Sequence, residues 1–213
     1  MNYQKFDIEN WNRKEHFYHF KDQLRCGFSL TTKIDISQVI PFIKEHGYKF
    51  YPTIIYLISK AVNKHQEFKL AMKDNELIEW DTVNPAYTIM HTETETFSEL
   101  CSMYTDNLKD FLKEYDRVQE KYKGNYAMSP QTGIENIFHI SMIPWVSFDG
   151  FNLNVPGFGD YFAPIFTLGK YTINKDEVLM PISIQVHHAT CDGLHVSKLL
   201  NSLQEYCNSI SEL

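Results

Sequence analysis

Three strand-like segments follow one another near the C-terminus with no helix between them, and this order constrains the fold more than any other feature. They cover residues 138–148, 162–173 and 177–188 and are rich in β-branched and aromatic side chains. Parallel neighbours in a doubly wound sheet need crossover connections, which are usually helices. The order therefore favours an α/β chain of α+β-like, two-layer character, in which helices pack on a mixed β-sheet.

The remaining elements are predicted from apolar periodicity and from the residues that begin or end helices. Four helices are expected, at residues 37–46, from Pro52, at residues 106–123 and from Gly193. Asp106 caps the third helix, and Gly47 and Gly124 end the first and the third. An early strand covers residues 26–36, and strand-rich sequence follows the second helix. No repeat or flexible linker divides the chain, so residues 1–213 are predicted to form a single domain.

Composition excludes several classes of protein. Hydrophobic residues make up 43% and charged residues 22% of the chain, which is the balance of a folded globular protein rather than a disordered one. The net charge is −7, so general electrostatic binding to nucleic acid is not expected. Aromatic residues reach 15%, and such rings often line pockets and interfaces.

The termini and the cysteines indicate the compartment. The N-terminal residues have no apolar core of the signal-peptide type, and the longest apolar run, at residues 54–58, is far shorter than the ~20 residues that span a bilayer. We expect a soluble, cytoplasmic protein without a membrane partner. The cysteines are scattered without a CxxC pair, so reduced thiols are expected. They are Cys26, Cys101, Cys191 and Cys207.

The segment QVHHATCDGLH, residues 185–195, carries the clearest chemical signal. It lies where a hydrophobic strand passes into the last helix, and strand ends hold side chains rigidly at a cleft. Neighbouring side chains on a strand point to opposite faces, so His187 and His188 are not both expected in one site. Asp192 follows four residues after His188, and Gly193 permits a tight turn.

These residues are compatible with more than one chemistry. His187, His188 and Asp192 suggest a two-histidine, one-carboxylate metal site, although adjacent histidines on a strand diverge. Cys191 or Cys26 beside a histidine suggests a thiol enzyme. A serine hydrolase lacks support, because no GxSxG sequence surrounds the candidate serine in ISMIPW.

The sequence HHATCDG resembles the HHxxxDG signature of chloramphenicol acetyltransferases. A looser form marks the acyltransferase cores of 2-oxo acid dehydrogenase complexes and the condensation domains of peptide synthetases. Further resemblance to the acetyltransferases extends from about Tyr3 to Asn208. It is carried by WNRKEHF, CGFSLT, GYKFYPTIIYLI, ETETFS, ISMIPWVSFDGFNLN and FAPIFTLGKY. The length of 213 residues also suits this family rather than its larger relatives.

The resemblance implies a CoA-dependent acyltransferase fold and acetyl transfer from acetyl-CoA to the 3-hydroxyl of chloramphenicol, which inactivates the antibiotic. It implies acetyl-CoA as co-substrate, no metal, and a homotrimer whose active sites lie at subunit interfaces. Two alternatives stay open. One is a trimeric binding protein that takes dyes, steroids or bile salts in an aromatic pocket. The other is an acetyltransferase for a different small alcohol.

The resemblance also assigns roles to residues. His188 is the general base, Ser141 stabilises the tetrahedral oxyanion, and Asp192 pairs with Arg13 to hold the catalytic loop. The residues expected to bind the acceptor are Phe20, Cys26, Thr88, Phe97, Phe151, Leu153, Val155 and Thr167. The residues expected to bind CoA are Lys49, Trp145, Lys170 and Tyr171.

Overall fold

The computed structural model describes residues 2–154 and 159–213. Within these ranges the strands are β1 (Tyr3–Lys5), β2 (Gly27–Asp35), β3 (Leu70–Lys73), β4 (Glu76–Trp80), β5 (Asn84–His91), β6 (Thr96–Cys101), β7 (Ile137–Ile143), β8 (Ile165–Gly169), β9 (Thr172–Asn174) and β10 (Glu177–His187). The α-helices are α1 (Lys14–Tyr18), α2 (Val39–His46), α3 (Phe50–Lys64), α4 (Leu108–Lys121) and α5 (Gly193–Asn208). None of these described helices is long and apolar enough to cross a membrane.

A mixed β-sheet forms the centre of the fold. Its strand order is β2-β10-β8-β7-β5-β6, and β9 pairs with β10 beyond this path. Strand β7 runs parallel to β5 and β8, whereas the β2–β10, β8–β10 and β5–β6 pairs are antiparallel. A small sheet, β1-β4-β3, lies apart from it. The predicted mixed sheet packed by helices is therefore confirmed.

Helices cover one face of the large sheet, because alternate strand residues are apolar. Ile140, Phe166 and Ile184 are buried in the same core as helix α3, whose side chains are buried on most of its surface. A smaller cluster joins Phe17 of α1 to Ala189, which follows β10. That cluster brings the N-terminal segment against the turn after β10.

The other face of the sheet is polar. Register pairs Ser141 with Thr167, Thr167 with Ser183, and Ser183 with Thr31. Directly opposed residues share a face of a sheet, so these hydroxyl side chains form one row on the side away from the helices. Thr88 continues the row on β5, because its neighbour Tyr87 pairs with Ile140. Three predicted site residues, Thr88, Ser141 and Thr167, therefore share the face that the helices leave uncovered.

Several predicted element boundaries are wrong. The cap of α4 is Asn107, whose side chain accepts a hydrogen bond from the Asp110 amide at 3.0 Å. Asp106 instead pairs with Lys60 outside the helix. Strand β7 ends at Ile143 rather than at residue 148, because Pro144 cannot donate a ladder hydrogen bond.

The strand predicted at residues 162–173 is divided into β8 and β9. Gly169 ends β8 where the chain packs closely, since a β-carbon there would lie 2.7 Å from ring atoms of both Phe148 and Pro181. The end of α2 is as predicted. Gly47 closes that helix in the left-handed conformation, with φ of +67°.

Candidate active site

The two adjacent histidines occupy different environments. His187 is the last residue of β10 and is almost fully buried, with its ring edge-on to Phe162 at 5.0 Å. Burial lowers the pKa of His187, which favours the neutral ring. His188 begins the turn that follows, and its amide donates to the Cys26 carbonyl at 2.9 Å. The rings diverge, as strand geometry requires.

The His188 ring is held in one tautomer. Its Nδ1 lies 3.0 Å from the Cys191 carbonyl oxygen, which can only accept a hydrogen bond. Nδ1 therefore carries the proton, and the neutral ring presents an unprotonated Nε2. Phe20 stacks on the ring at 3.9 Å between centroids, and Phe28 meets it edge-on at 5.2 Å. The ring is thus fixed in orientation as a proton acceptor.

Arg13 ties together the two ends of the turn behind His188. One guanidinium nitrogen donates to Asp192 Oδ2 at 2.6 Å, and the other donates to the His188 carbonyl at 3.1 Å. Asp192 Oδ1 also accepts from the Leu194 amide at 3.0 Å and so caps helix α5. The carboxylate therefore stabilises both the turn and the start of the helix.

His195 extends this network. Its Nδ1 lies 2.9 Å from Asp192 Oδ1, and its Nε2 lies 3.5 Å from Glu67 Oε1. Burial by itself raises the pKa of Asp192, but the interactions with His195 and Arg13 outweigh it. The pKa of Asp192 is consequently lower than its ordinary value, and the carboxylate is ionised at neutral pH.

We expect Asp192→Asn to destabilise the fold by about 1–3 kcal/mol, since it removes the charge from these hydrogen bonds while Asp192 stays about one-third exposed. A lowered pKa means that the stabilisation is present above the ordinary value of 3.8 and is lost as pH falls through the folded value. The difference in free energy of unfolding between wild type and variant should therefore be full at pH 6 and shrink below pH 3.8. Urea unfolding across this range measures it, and a pH-independent difference would contradict the assignment.

Ser141 lines a separate cavity, which lies where the β5–β7 pairing ends at Tyr87 and Ile140. Its Oγ is 3.4 Å from Thr88 Oγ1. The cavity has a volume of about 490 Å³, and Thr88, Phe97, Ser141 and Trp145 all line it. The sequence therefore indicated four residues that the fold brings together, although they come from β5, β6, β7 and the turn after β7.

The cavity also includes residues that sequence reasoning missed. Tyr51 on α3 lines it and donates from its hydroxyl to the Ile140 carbonyl at 3.3 Å, one residue before Ser141. Burial raises the pKa of Tyr51, so its hydroxyl stays protonated. Met90 and Met142 supply apolar lining. Tyr51 lies within GYKFYPTIIYLI and Met142 within ISMIPW, so both lay in segments that carry the family resemblance, as does Phe28 in CGFSLT.

The other predicted acceptor residues divide between two places. Thr167 lies opposite Ser141 on β8, and Phe151 and Leu153 lie in an irregular segment over the sheet. Phe20 and Cys26 lie at His188 instead. Val155 falls outside the described residues.

Of the four candidates for CoA binding, Trp145 lines the Ser141 cavity, and the other three are not among its lining residues. Trp145 is 63% exposed, and the next residue, Val146, accepts through its carbonyl from the Lys170 amide at 2.9 Å. The Tyr171 ring lies 5.4 Å from the Phe50 ring, which follows Lys49. Lys49 forms an exposed ion pair with Asp116 at 2.7 Å. The negative charge of Asp116 weakens the attraction of Lys49 for a phosphate.

Within a single copy of the protein, His188 and Ser141 lie far apart. Register places Ser141 two strands away from Ser183, and His188 follows Ser183 by five residues. At about 4.8 Å per strand and about 3.4 Å per residue, the two side chains are separated by roughly 20 Å. The structure therefore gathers Arg13, Phe20, Cys26 and Asp192 around His188, and a second group around Ser141.

The metal and thiol interpretations gain no support. Across residues 2–154 and 159–213, no three His, Cys, Asp or Glu side chains are grouped to hold a metal ion. All four cysteines are free thiols. Burial raises the pKa of Cys26, and it raises that of Cys191 to about 12. A nucleophilic thiol needs the opposite change.

Comparisons with known proteins identify the family of the chain. The family model for chloramphenicol acetyltransferase matches residues 1–204. The chain is 52% identical over 211 residues to chloramphenicol acetyltransferase 3 of Escherichia coli, covering 98% of this chain and 99% of the relative. It is 51% identical over 211 residues to chloramphenicol acetyltransferase 2 of the same species, covering 99% of each. A solved chloramphenicol acetyltransferase, 22% identical, has the same fold, with a TM-score of 0.86 over 97% of this chain and 100% of that one. The chain belongs to the chloramphenicol acetyltransferase family.

Proposed function

We propose that this chain transfers the acetyl group of acetyl-CoA to the 3-hydroxyl of chloramphenicol and thereby inactivates the antibiotic. The observation that carries the proposal is the Nδ1 contact of His188 with the Cys191 carbonyl at 3.0 Å. It leaves Nε2 as the basic atom of the neutral ring, within the turn that bears the family signature. Acetyl-CoA is the co-substrate, and the reaction needs no metal.

The proposed step begins when His188 Nε2 removes the proton from the acceptor hydroxyl. The oxygen attacks the thioester carbonyl, a C–O bond forms, and the carbonyl electron pair moves to oxygen. Ser141 donates a hydrogen bond to this oxyanion. The intermediate then collapses, the C–S bond breaks, and the His188 imidazolium returns its proton to the CoA thiolate.

The separation of roughly 20 Å between His188 and Ser141 bears on assembly. Neither residue completes this reaction alone, so we propose that His188 of one copy acts with Ser141 of another. A head-to-tail ring allows every copy to supply both groups, and the family resemblance points to a homotrimer. Each active site would then lie at a subunit interface. We also propose that residues 1–213 form one domain and that the enzyme acts in the cytoplasm, because that compartment supplies acetyl-CoA.

We expect the purified wild-type chain to release free thiol from acetyl-CoA only when chloramphenicol is present. A thiol-trapping assay measures the release, and 3-O-acetylchloramphenicol is identified by mass spectrometry. Chloramphenicol already acetylated at the 3-hydroxyl serves as the matched control and should release no thiol.

This assay also separates the alternatives. A protein that only binds dyes, steroids or bile salts in its apolar cavity would bind chloramphenicol or those compounds without releasing thiol. An acetyltransferase for another small alcohol would release thiol with that alcohol and not with chloramphenicol. Either result would contradict the proposal.

A further inference from the structure

Two neighbouring polar pairs on the uncovered face of the sheet hold an irregular segment. Thr31 is paired with Ser183, and Ser29 with Gln185, across strands β2 and β10. Ser183 is 3% exposed and Gln185 is 5% exposed. Buried polar groups of this kind require hydrogen-bond partners. Their partners are residues 149–154, here called the covering segment.

The first pair, Thr31 and Ser183, forms hydrogen bonds with both the amide and the carbonyl of Phe151. Ser183 Oγ donates to the Phe151 carbonyl at 2.8 Å. Thr31 Oγ1 accepts from the Phe151 amide at 3.3 Å. Two side chains on the sheet therefore satisfy the donor and the acceptor that a neighbouring strand would satisfy in a regular ladder.

The second pair repeats this arrangement two residues further along. Gln185 Oε1 accepts from the Leu153 amide at 3.3 Å, and Ser29 Oγ donates to Asn152 Oδ1 at 3.2 Å. The step from Phe151 to Leu153 matches the step from Ser183 to Gln185. The covering segment thus runs along β10 toward its His188 end, with alternate residues attached to the sheet.

The attached segment presents apolar side chains instead of burying them. Leu153 is 48% exposed and Phe151 is half-buried, although both backbones are fixed to a rigid sheet. Ser183 also shares its row with Thr167 and Ser141. The covering segment therefore lies on the face that carries the oxyanion serine, two strands away from it.

We infer that Ser183 and Gln185 are positioning residues, which hold Phe151 and Leu153 as an apolar wall of the acceptor site. They act through the backbone of the covering segment and do not touch the reacting atoms. This inference rests on the proposed function, because the wall has a role only if chloramphenicol is the acceptor.

The test uses Ser183→Ala and Gln185→Met, which remove the polar contacts at nearly constant size. A lost hydrogen bond of about 0.5–1.5 kcal/mol corresponds to about a 2- to 13-fold rise in KM for chloramphenicol. We expect kcat and the KM for acetyl-CoA to change less than about twofold. Ser183→Thr keeps the hydroxyl and should restore most of the affinity. Ser209→Ala, at a partly exposed serine of the C-terminal region, is the matched control and should leave kcat and both KM values unchanged.

A second readout does not depend on activity. Gln185→Met removes the acceptor of the Leu153 amide, so hydrogen exchange there should accelerate about 10-fold, while exchange in the helices stays unchanged. Unchanged exchange would overturn the inference. Faster exchange with an unchanged KM for chloramphenicol would also overturn it. A fall in kcat accompanied by an equal rise in both KM values would overturn it as well. Absence of turnover in the wild-type chain would instead overturn the proposed function.

Discussion

Replacing His188 with alanine lowers kcat for chloramphenicol acetylation by about 10²- to 10⁴-fold, the range that a positioned general base contributes. The structure gives the reason. The Cys191 carbonyl fixes the proton on Nδ1, and Phe20 stacks on the ring, so the ring is held with Nε2 as its proton acceptor. The alanine side chain has no basic atom that could remove the proton of the chloramphenicol 3-hydroxyl. Steady-state thiol release at saturating substrates measures the loss.

The variant should remain folded, which separates a chemical loss from a structural one. Removing the ring leaves the Cys191 carbonyl without this donor, and such a loss costs about 1–3 kcal/mol. We therefore expect a lower Tm with a cooperative transition retained. His46→Ala, on an exposed histidine of α2, is the matched control and should keep wild-type kcat. A His188→Ala variant that kept more than about one-tenth of kcat would contradict the assignment.

Mixing two inactive variants should restore activity. Ser141→Ala alone loses an oxyanion donor, at a cost of about 2.7–4 kcal/mol in the transition state, and His188→Ala alone loses the base. If each site takes His188 from one copy and Ser141 from another, a Ser141→Ala chain beside a His188→Ala chain completes an intact site. Random assortment then gives about one-quarter of the wild-type sites per chain. The physical basis is the roughly 20 Å between the two residues within one chain.

Co-expression with two different affinity tags isolates the mixed assemblies, and in a trimeric ring each of these holds one intact site, so about one-third of the wild-type activity per chain is expected after this purification. The control combines Ser141→Ala with a chain that carries both substitutions, a mixture that contains no intact Ser141 and should stay inactive. Light scattering should give three times the 25.1 kDa mass of the chain. Mixed assemblies no more active than either variant would show that both residues act within one copy, and a monomeric mass would overturn the assembly proposal.

Local sequence was enough for the elements whose ends depend on neighbouring residues. The glycine after α2 and the strand before HHATCDG lie where their patterns predicted. The predicted cap of α4 was wrong because Asp106 and Asn107 are adjacent and are equally suitable caps. Asp106 forms an ion pair with Lys60, and Asn107 caps the helix. The prediction also failed at residues 162–173, where the strand divides after Gly169, a position at which the Phe148 ring and Pro181 leave no room for a β-carbon.

The sequence by itself determined the family and indicated the candidate site residues, since the signature turn and the serine segment are each a short continuous stretch of the chain. Only the tertiary structure decided three further points. It identified the Cys191 carbonyl as the partner of His188 and added Tyr51 to the Ser141 cavity. It also placed His188 and Ser141 roughly 20 Å apart. The first point depends on the conformation of the turn, in which Cys191 lies three residues after His188. The other two depend on packing and strand pairing between segments that are distant in sequence, which neither periodicity nor motif spacing encodes.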